Sequence, residues 1–414
     1  MVSSNLHWSE KYYASAIQTN DATGYYAYLP AVFIYHDLNF AYHDSVIQKY
    51  YNPEKYADYR VTYNGKTIDK YYAGTAFTLI PFFLAGHLYA KLFNYPADGY
   101  SLPYFIAINI ASIVFLLMGL IYILKFLKSY GATEKASSLI LIVLVFATNL
   151  FHYASSEPCL SHIYSFAFIS AFVYHSKKFF SGLAIKDFLF CSLCLGFIIF
   201  IRPVNIIVIF SLPFLAGDFN KLKTAFNKLI NDKSALIFSA LITLSIAAIQ
   251  PVIYQIQCGS FFVYTYFDEG FNWTNPQLIN FLFSYRKGFF VYTPVALLSL
   301  PGFVFLWRKN KFQFYSLLFF LSLLIYILSS WWNWWYGGSF STRVLLDYYV
   351  FLALLFMFAY QLVESKLIKN ILIPVCFSLI VLCQIQAYQY RYYVINNEGM
   401  TKEEYWDVFL KLKK

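Results

Sequence analysis

The chain has 414 residues, of which 59% are hydrophobic, 22% aromatic and only 13% charged. Soluble domains carry about 25% charged residues, so this composition excludes an ordinary soluble protein and points to one integral to a membrane. The net charge of +10 does not indicate nucleic acid as a partner, because the basic residues are not gathered on one solvated face.

In chain order, the polar opening stretch "TNDATGYYAYLPAVFIYHDLNF" (19–40) comes first, and nothing before it is apolar enough to span. The segment 71–93 follows, interrupted by Gly74, Pro81, Gly86 and His87 and closed by Lys91. If it spans, Asp21 is cytoplasmic; if it lies along the interface, residues 1–102 are all extracytoplasmic. The interfacial reading is favoured because its Tyr and Phe content suits the headgroup layer and because the family resemblance described below implies it. Apolar runs near the ~20 residues that a spanning helix needs lie at 103–127, 137–154, 159–175, 234–256, 288–306, 313–331, 344–363 and 369–388. The run 187–216 is broken by "IRPVN" (201–205), where proline removes a helical hydrogen bond and arginine is costly in lipid; two half-helices meeting at Arg202 are expected. The fold class is therefore an all-α polytopic transmembrane helical bundle, with an extracytoplasmic first loop and interfacial helix over 1–102, the bundle over 103–388, and an extracytoplasmic tail over 389–414.

The loops sort by charge. Those at 125–135, 176–186, 217–233, 307–312 and 364–369 hold fifteen Lys and Arg, which places them in the cytoplasm. The alternating segments "SSEPCLS" (155–161), 257–287 and "WWNWWYGGSFSTR" (331–343) fall on the opposite side, together with Arg202. An outer position for residues 1–102 requires a spanning helix ahead of them, so the chain reads as truncated or late-started. Six dispersed cysteines include Cys191 and Cys194 as a C-x-x-C without a second pair, inside an apolar run; they read as small buried apolar residues rather than metal ligands.

Polar residues at the membrane edge are costly to keep there and are candidates for function. On the outer side these are Asp21, Asp37, Lys70, Glu157, His162, Arg202, Lys287, Arg343 and Asp347. Such a mix of carboxylates and cations suits a reaction in which an acceptor hydroxyl loses a proton and a phosphate leaving group is held. Asp21 could equally cap the helix that follows it, and Asp37 reads as a turn or cap residue. Arg343 and Asp347 lie one helical turn apart and could pair with each other, or Arg343 could close a cavity. Lys287 could simply mark the membrane edge. The aromatic cluster at 331–338 could stack on a sugar ring or form an interfacial belt.

Taken together, "NDATGYYAYLPA", "DKYYAGTAFTLIPFFLAGHL", "SSEPCLSHIYSF", "FIRPVN", "GFFVYTP" and "WWNWWYGGSFSTRVLLD" resemble the GT-C superfamily of integral membrane glycosyltransferases, nearest to the branch of protein O-mannosyltransferases and lipid A aminoarabinose transferases. The resemblance implies transfer of a sugar from a polyprenyl-phosphate donor to a lipid, glycan or protein acceptor, by inverting displacement on the extracytoplasmic side of a bacterial inner (plasma) membrane. It implies Asp21, followed by Tyr25 and Tyr26 at the floor of the cavity, as the base. Glu157, followed by proline, would be a second acid that orients the acceptor or, in some relatives, a divalent cation; here it stands where Asp is more familiar. Lys70 would bind the lipid phosphate, although it also reads as a solvated loop lysine. Arg202, a guanidinium at a broken helix, needs an anionic partner, a phosphate or a carboxylate. His162 reads equally as a satisfied core histidine or a donor to substrate, and Arg343 would contact substrate if it closes the cavity. No cluster at metal-ligand spacing is visible. A lipid-linked sugar flippase should show charges midway through several helices and an internal repeat, and neither is seen. A lipid-linked glycan polymerase or ligase usually has a larger outer loop than 257–287.

Overall fold

The computed structural model describes residues 21–51 and 58–413; the expectations that concern residues 1–20 lie outside this range. The architecture is helical. The regular β-structure among the described residues is one antiparallel hairpin, Arg60–Tyr63 paired with Lys66–Asp69 in the register Arg60↔Asp69. Asn64 and Gly65, both at positive φ, make the two-residue turn that this twist favours. The hairpin lies within the expected first loop of an otherwise all-α fold and was not itself expected, although the Asn-Gly pair between "RVTY" and "KTID" is its signature in the sequence.

Among the described residues six helices are long and apolar enough to cross a membrane: Gly74–Leu92, Leu102–Ser129, Lys233–Cys258, Lys311–Ser329, Arg343–Leu362 and Leu367–Arg391. The first of them, expected to lie along the interface, thus also has the length and apolarity of a span. Arg343–Leu362 is the most enclosed of them, whereas Lys233–Cys258 and Leu367–Arg391 present most of their side chains outward. Other expected spans are shorter or broken. The run at 137–154 divides into Glu134–Phe146 and Leu150–Ser155, and the run at 288–306 is interrupted at Thr293-Pro294 before Pro301–Lys309. Ser161–Gly182 is long enough to span but less apolar, and most of it is buried among its neighbours.

At Arg202 the chain breaks as its sequence requires. Ile185–Ile201 ends there, Arg202 is extended (φ −148°, ψ 100°), and a 3-10 turn begins at Pro203. The residue before proline is driven out of the helical region by the ring, so the break is local chemistry. Gly74 lets its helix approach this break: a Cβ there would overlap the backbone of Phe200 and Ile201. The Gly74–Leu92 helix begins against the last turn of Ile185–Ile201, and its Gly86 meets Pro103, Tyr104 and Ala107 in the first turns of the Leu102–Ser129 helix.

Side-chain bonds tie three of the lysine-rich connections, at 125–135, 217–233 and 307–312, together at one end of the bundle. Gln313 donates to the Tyr130 hydroxyl (3.3 Å) and to the Phe214 carbonyl (3.0 Å), and Asn310 to the Gly217 carbonyl (2.8 Å). Residues 21, 70–72, 202, 263–271, 331–337 and 343 converge at the other end.

Candidate functional site

At that second end lies a cavity of about 390 Å3, lined among others by Asp21, Tyr25, Lys70, Tyr71, Arg202, Tyr266, Glu269, Trp331, Trp332, Tyr336 and Arg343. Its volume falls within the ~300–1,000 Å3 of small-molecule sites. The local folding that delivers each side chain is identifiable. Asp21 lies in the first described turn of the Asp21–Pro30 helix, and at Gly24 a side chain would overlap the Tyr71 ring. The hairpin ends at Asp69 and hands Lys70 and Tyr71 to the cavity, fixed by the Lys70 amide on the Tyr59 carbonyl (2.9 Å) and by the Thr265 hydroxyl on the Lys70 carbonyl (2.6 Å). Arg343 opens the 3-10 turn that leads into the enclosed helix.

Three ion pairs converge here. Arg343 donates from Nη2 to Asp21 Oδ2 at 2.6 Å, while the Tyr71 hydroxyl donates to Asp21 Oδ1 at 2.9 Å. Lys70 Nζ donates to Glu269 Oε1 at 2.6 Å and lies over the Tyr266 ring; Trp332 Nε1 donates to the other Glu269 oxygen at 3.2 Å. Arg202 Nε stands 3.6 Å from Asp347 Oδ2. Burial pushes the Asp21 carboxyl up, but the charge of Arg343, the hydrogen bonds from Tyr71 and Arg343, and the more distant Arg202 hold it below the ordinary carboxylate value. The carboxylate thus serves the Arg343 and Tyr71 side chains.

Behind the wall is a closed network. Asp347 is wholly buried (0% exposed) and accepts from His162 Nδ1 (2.8 Å) and Asn205 Nδ2 (2.7 Å); the Tyr348 hydroxyl donates to Asn205 Oδ1 (3.0 Å). Arg202 Nη1 lies 3.3 Å from His162 Nε2. A guanidinium can only donate, so Nε2 must accept and Nδ1 carries the proton toward Asp347. His162 therefore positions Arg202 from behind.

The structure brings Asp21, Tyr25, Lys70, Arg202 and Arg343 to one cavity and leaves three other candidates off it. Tyr26 is a core residue, 1% exposed between Phe83, Tyr100 and Phe105, with its hydroxyl on the Gly99 carbonyl. His162 is enclosed and fully engaged by Asp347 and Arg202, so it cannot contact a substrate directly. Glu157 pairs with His152 Nε2 (3.1 Å) and does not line the cavity. The suggested Arg343–Asp347 pair is replaced by Arg343–Asp21 and by Asp347–His162, because a 3-10 turn over 343–348, with about three residues per turn, aligns i with i+3 and does not set those two side chains on one stripe. Asp37 closes its own turn, accepting from the amides of Asn39 and Ala41. Lys287 is 2% exposed under the Tyr390 ring rather than a free edge marker. Burial depresses its ammonium to about 7 against the favourable charge of Glu157.

Tyr71, Tyr266 and Glu269 were not singled out by sequence reasoning. The Asn-Gly hairpin could have pointed to Tyr71; Glu269 sits in an unpatterned loop with no such signal. A divalent cation does not fit the residues present. Asp21 is occupied by Tyr71 and Arg343, Glu157 by His152, and among the described residues no three His, Cys, Asp or Glu side chains gather to hold a metal ion.

Comparison with protein-family models, with curated proteins and with solved structures finds no match to the chain. The site and fold define a class in physical terms: a helical protein with several helices apolar enough to span a membrane, carrying a cation-rich, aromatic-walled cavity at the end away from its lysine-rich connections.

Proposed function

We propose that the protein is an integral membrane glycosyltransferase that moves a sugar from a polyprenyl-phosphate donor to a lipid, glycan or protein hydroxyl, with the cavity on the extracytoplasmic side. The observation that carries this reading is the meeting of two carboxylates, Asp21 and Glu269, with three cations, Arg343, Arg202 and Lys70, on one cavity walled by Tyr and Trp. Flat apolar faces of a sugar pack on such rings. In the reaction the acceptor oxygen attacks the anomeric carbon as the bond from that carbon to the phosphate oxygen breaks. The acceptor proton goes to Asp21, and the lipid phosphate departs with its charge held by Arg343, Arg202 and Lys70.

The ion pairs make this sequence ordered. Asp21 is a weak base while Arg343 grips it. A phosphate that engages Arg343 competes with Asp21 for the guanidinium, and the carboxylate becomes a stronger base as that grip loosens. Donor binding thereby readies the proton acceptor.

The test is reconstitution of the full chain in proteoliposomes with radiolabelled polyprenyl-phosphate sugars and membrane-derived acceptors. Label is expected in a new glycoconjugate with the wild-type chain and not with Asp21→Asn. Movement of label across the bilayer without any new conjugate would instead fit a lipid-linked sugar transporter. Undiminished transfer by Asp21→Asn would remove the base assigned here.

A further inference from the structure

A second cavity lies at the lysine-rich end of the bundle, under the helix Phe219–Asn231. Its volume is about 220 Å3, its lining includes Phe172, Phe179, Cys191, Leu222, Ala225 and Leu229, and almost no polar atom faces it. It is smaller than the ~300 Å3 at which drug-sized sites begin, and with nothing to hydrogen-bond it suits a length of single hydrocarbon chain. The helix above it turns by 118° from Pro203–Ala216. Its Leu222, Ala225, Phe226 and Leu229 line the cavity, Phe219, Ile230 and the outer part of Phe226 stay exposed, and Lys221, Lys223 and Lys228 are its cations. An amphipathic helix of this kind lies in the headgroup layer with its apolar side in the acyl region.

Charge at the rim is unbalanced. Lys177 and Lys221 follow and precede the cavity-lining Ser176 and Leu222 in sequence, and their ammonium groups are electrostatic neighbours, with Asp218 as the acid acting on Lys177. Asp218 lies 3.7 Å from the Lys221 ammonium and spends its other oxygen on the Lys221 amide (2.8 Å). Two ammoniums thus share one partly occupied carboxylate. Lys177 also lies over the Tyr130 ring at 4.8 Å, and its ammonium is beside Gly217, which precedes Asp218 at the start of the Phe219–Asn231 helix.

We infer that this cavity binds one acyl chain of an anionic phospholipid of the cytoplasmic leaflet, whose phosphodiester sits on Lys177 and Lys221. The lipid wedges the Phe219–Asn231 helix onto the bundle and completes the charge balance of the rim. The site is independent of the transfer reaction proposed above.

The test uses the full chain in phosphatidylcholine bilayers doped with phosphatidylglycerol or phosphatidylcholine carrying a photoreactive diazirine on one acyl chain. The phosphatidylglycerol probe is expected to label peptides spanning 172–195 and 222–229 well above its zwitterionic counterpart. The Lys177→Gln and Lys221→Gln changes should each reduce that preference roughly five-fold, the ratio that ~1 kcal/mol per basic residue represents. Ala225→Phe fills the cavity and should suppress labelling by both probes; Ser192→Leu, which intrudes from the opposite wall, does the same if Ala225→Phe misfolds. Equal labelling by the two probes, or a preference that survives loss of both lysines, overturns the headgroup assignment. Labelling unaffected by either filling variant overturns the cavity assignment.

Discussion

Arg202 stands between two groups of charged residues made of the same side-chain types. In front of it, Asp21–Arg343 and Lys70–Glu269 line a cavity and each retains some exposure. Behind it, Asp347, His162 and Asn205 are buried, and each Asp347 oxygen is engaged. The pairs in front are exchangeable, because an incoming anion can replace a carboxylate on either cation. The network behind is closed, and removing one member leaves buried partners unsatisfied. Similar residues are therefore open to an incoming ligand in one group and locked into the architecture in the other, and the two should respond differently to substitution.

Asp21→Asn is expected to give the largest change in activity, a fall of ~10²- to 10⁴-fold in sugar transfer for loss of a general base. Binding of polyprenyl phosphate should be retained or tightened, since Arg343 loses its competitor. Asp347→Ala should act on the fold: truncating one partner of a buried ionic network costs ~3–5 kcal/mol, visible as a lowered melting temperature of the purified protein. A variant pattern with these two outcomes exchanged would dissolve the distinction between the groups. Lys70→Ala should weaken donor binding roughly ten-fold, about 1.4 kcal/mol, with little effect on the melting temperature.

The other two tests concern the polar residues that lie apart from both groups. Lys287 has a folded-state value of about 7, depressed by burial, against an unfolded value near ~10.4. Between these values the unfolded chain binds more protons, so stability should rise with pH from about 7 toward ~10. Lys287→Met should flatten that slope in melting curves taken across the window. Glu157→Gln should have the smallest effect. A partly exposed carboxylate–imidazole contact contributes ~0–1 kcal/mol, so transfer should change by no more than about five-fold; a collapse of activity would return Glu157 to the reaction site.

Several features follow from the sequence through local rules. The break at Arg202 follows from the steric demand of Pro203 on the residue before it. The sorting of lysine-rich from aromatic connections alternates with the apolar runs, and the bonds of Asn310 and Gln313 draw part of the lysine-rich set to one end. The hairpin was equally legible in Asn64-Gly65, though its brevity and charged flanks hid it among loop residues. Tyr26 and Tyr25 are neighbours of the same type, yet one faces the core and the other the cavity. Adjacent positions on a helix differ by about 100° in direction, and only the packing partners reveal which direction is inward.

Composition and periodicity were enough to determine that this is a helical chain with segments able to cross a membrane, because hydrophobic length and charge distribution are properties of contiguous sequence. The partners of the ionisable groups were decided by the tertiary structure. Asp21 and Arg343 are separated by 322 positions and Lys70 and Glu269 by 199, and no local pattern links them. Which acid meets which cation depends on where the breaks, the hairpin and the 3-10 turns set each backbone. Low dielectric then makes each buried charge take the partner that the fold places within reach.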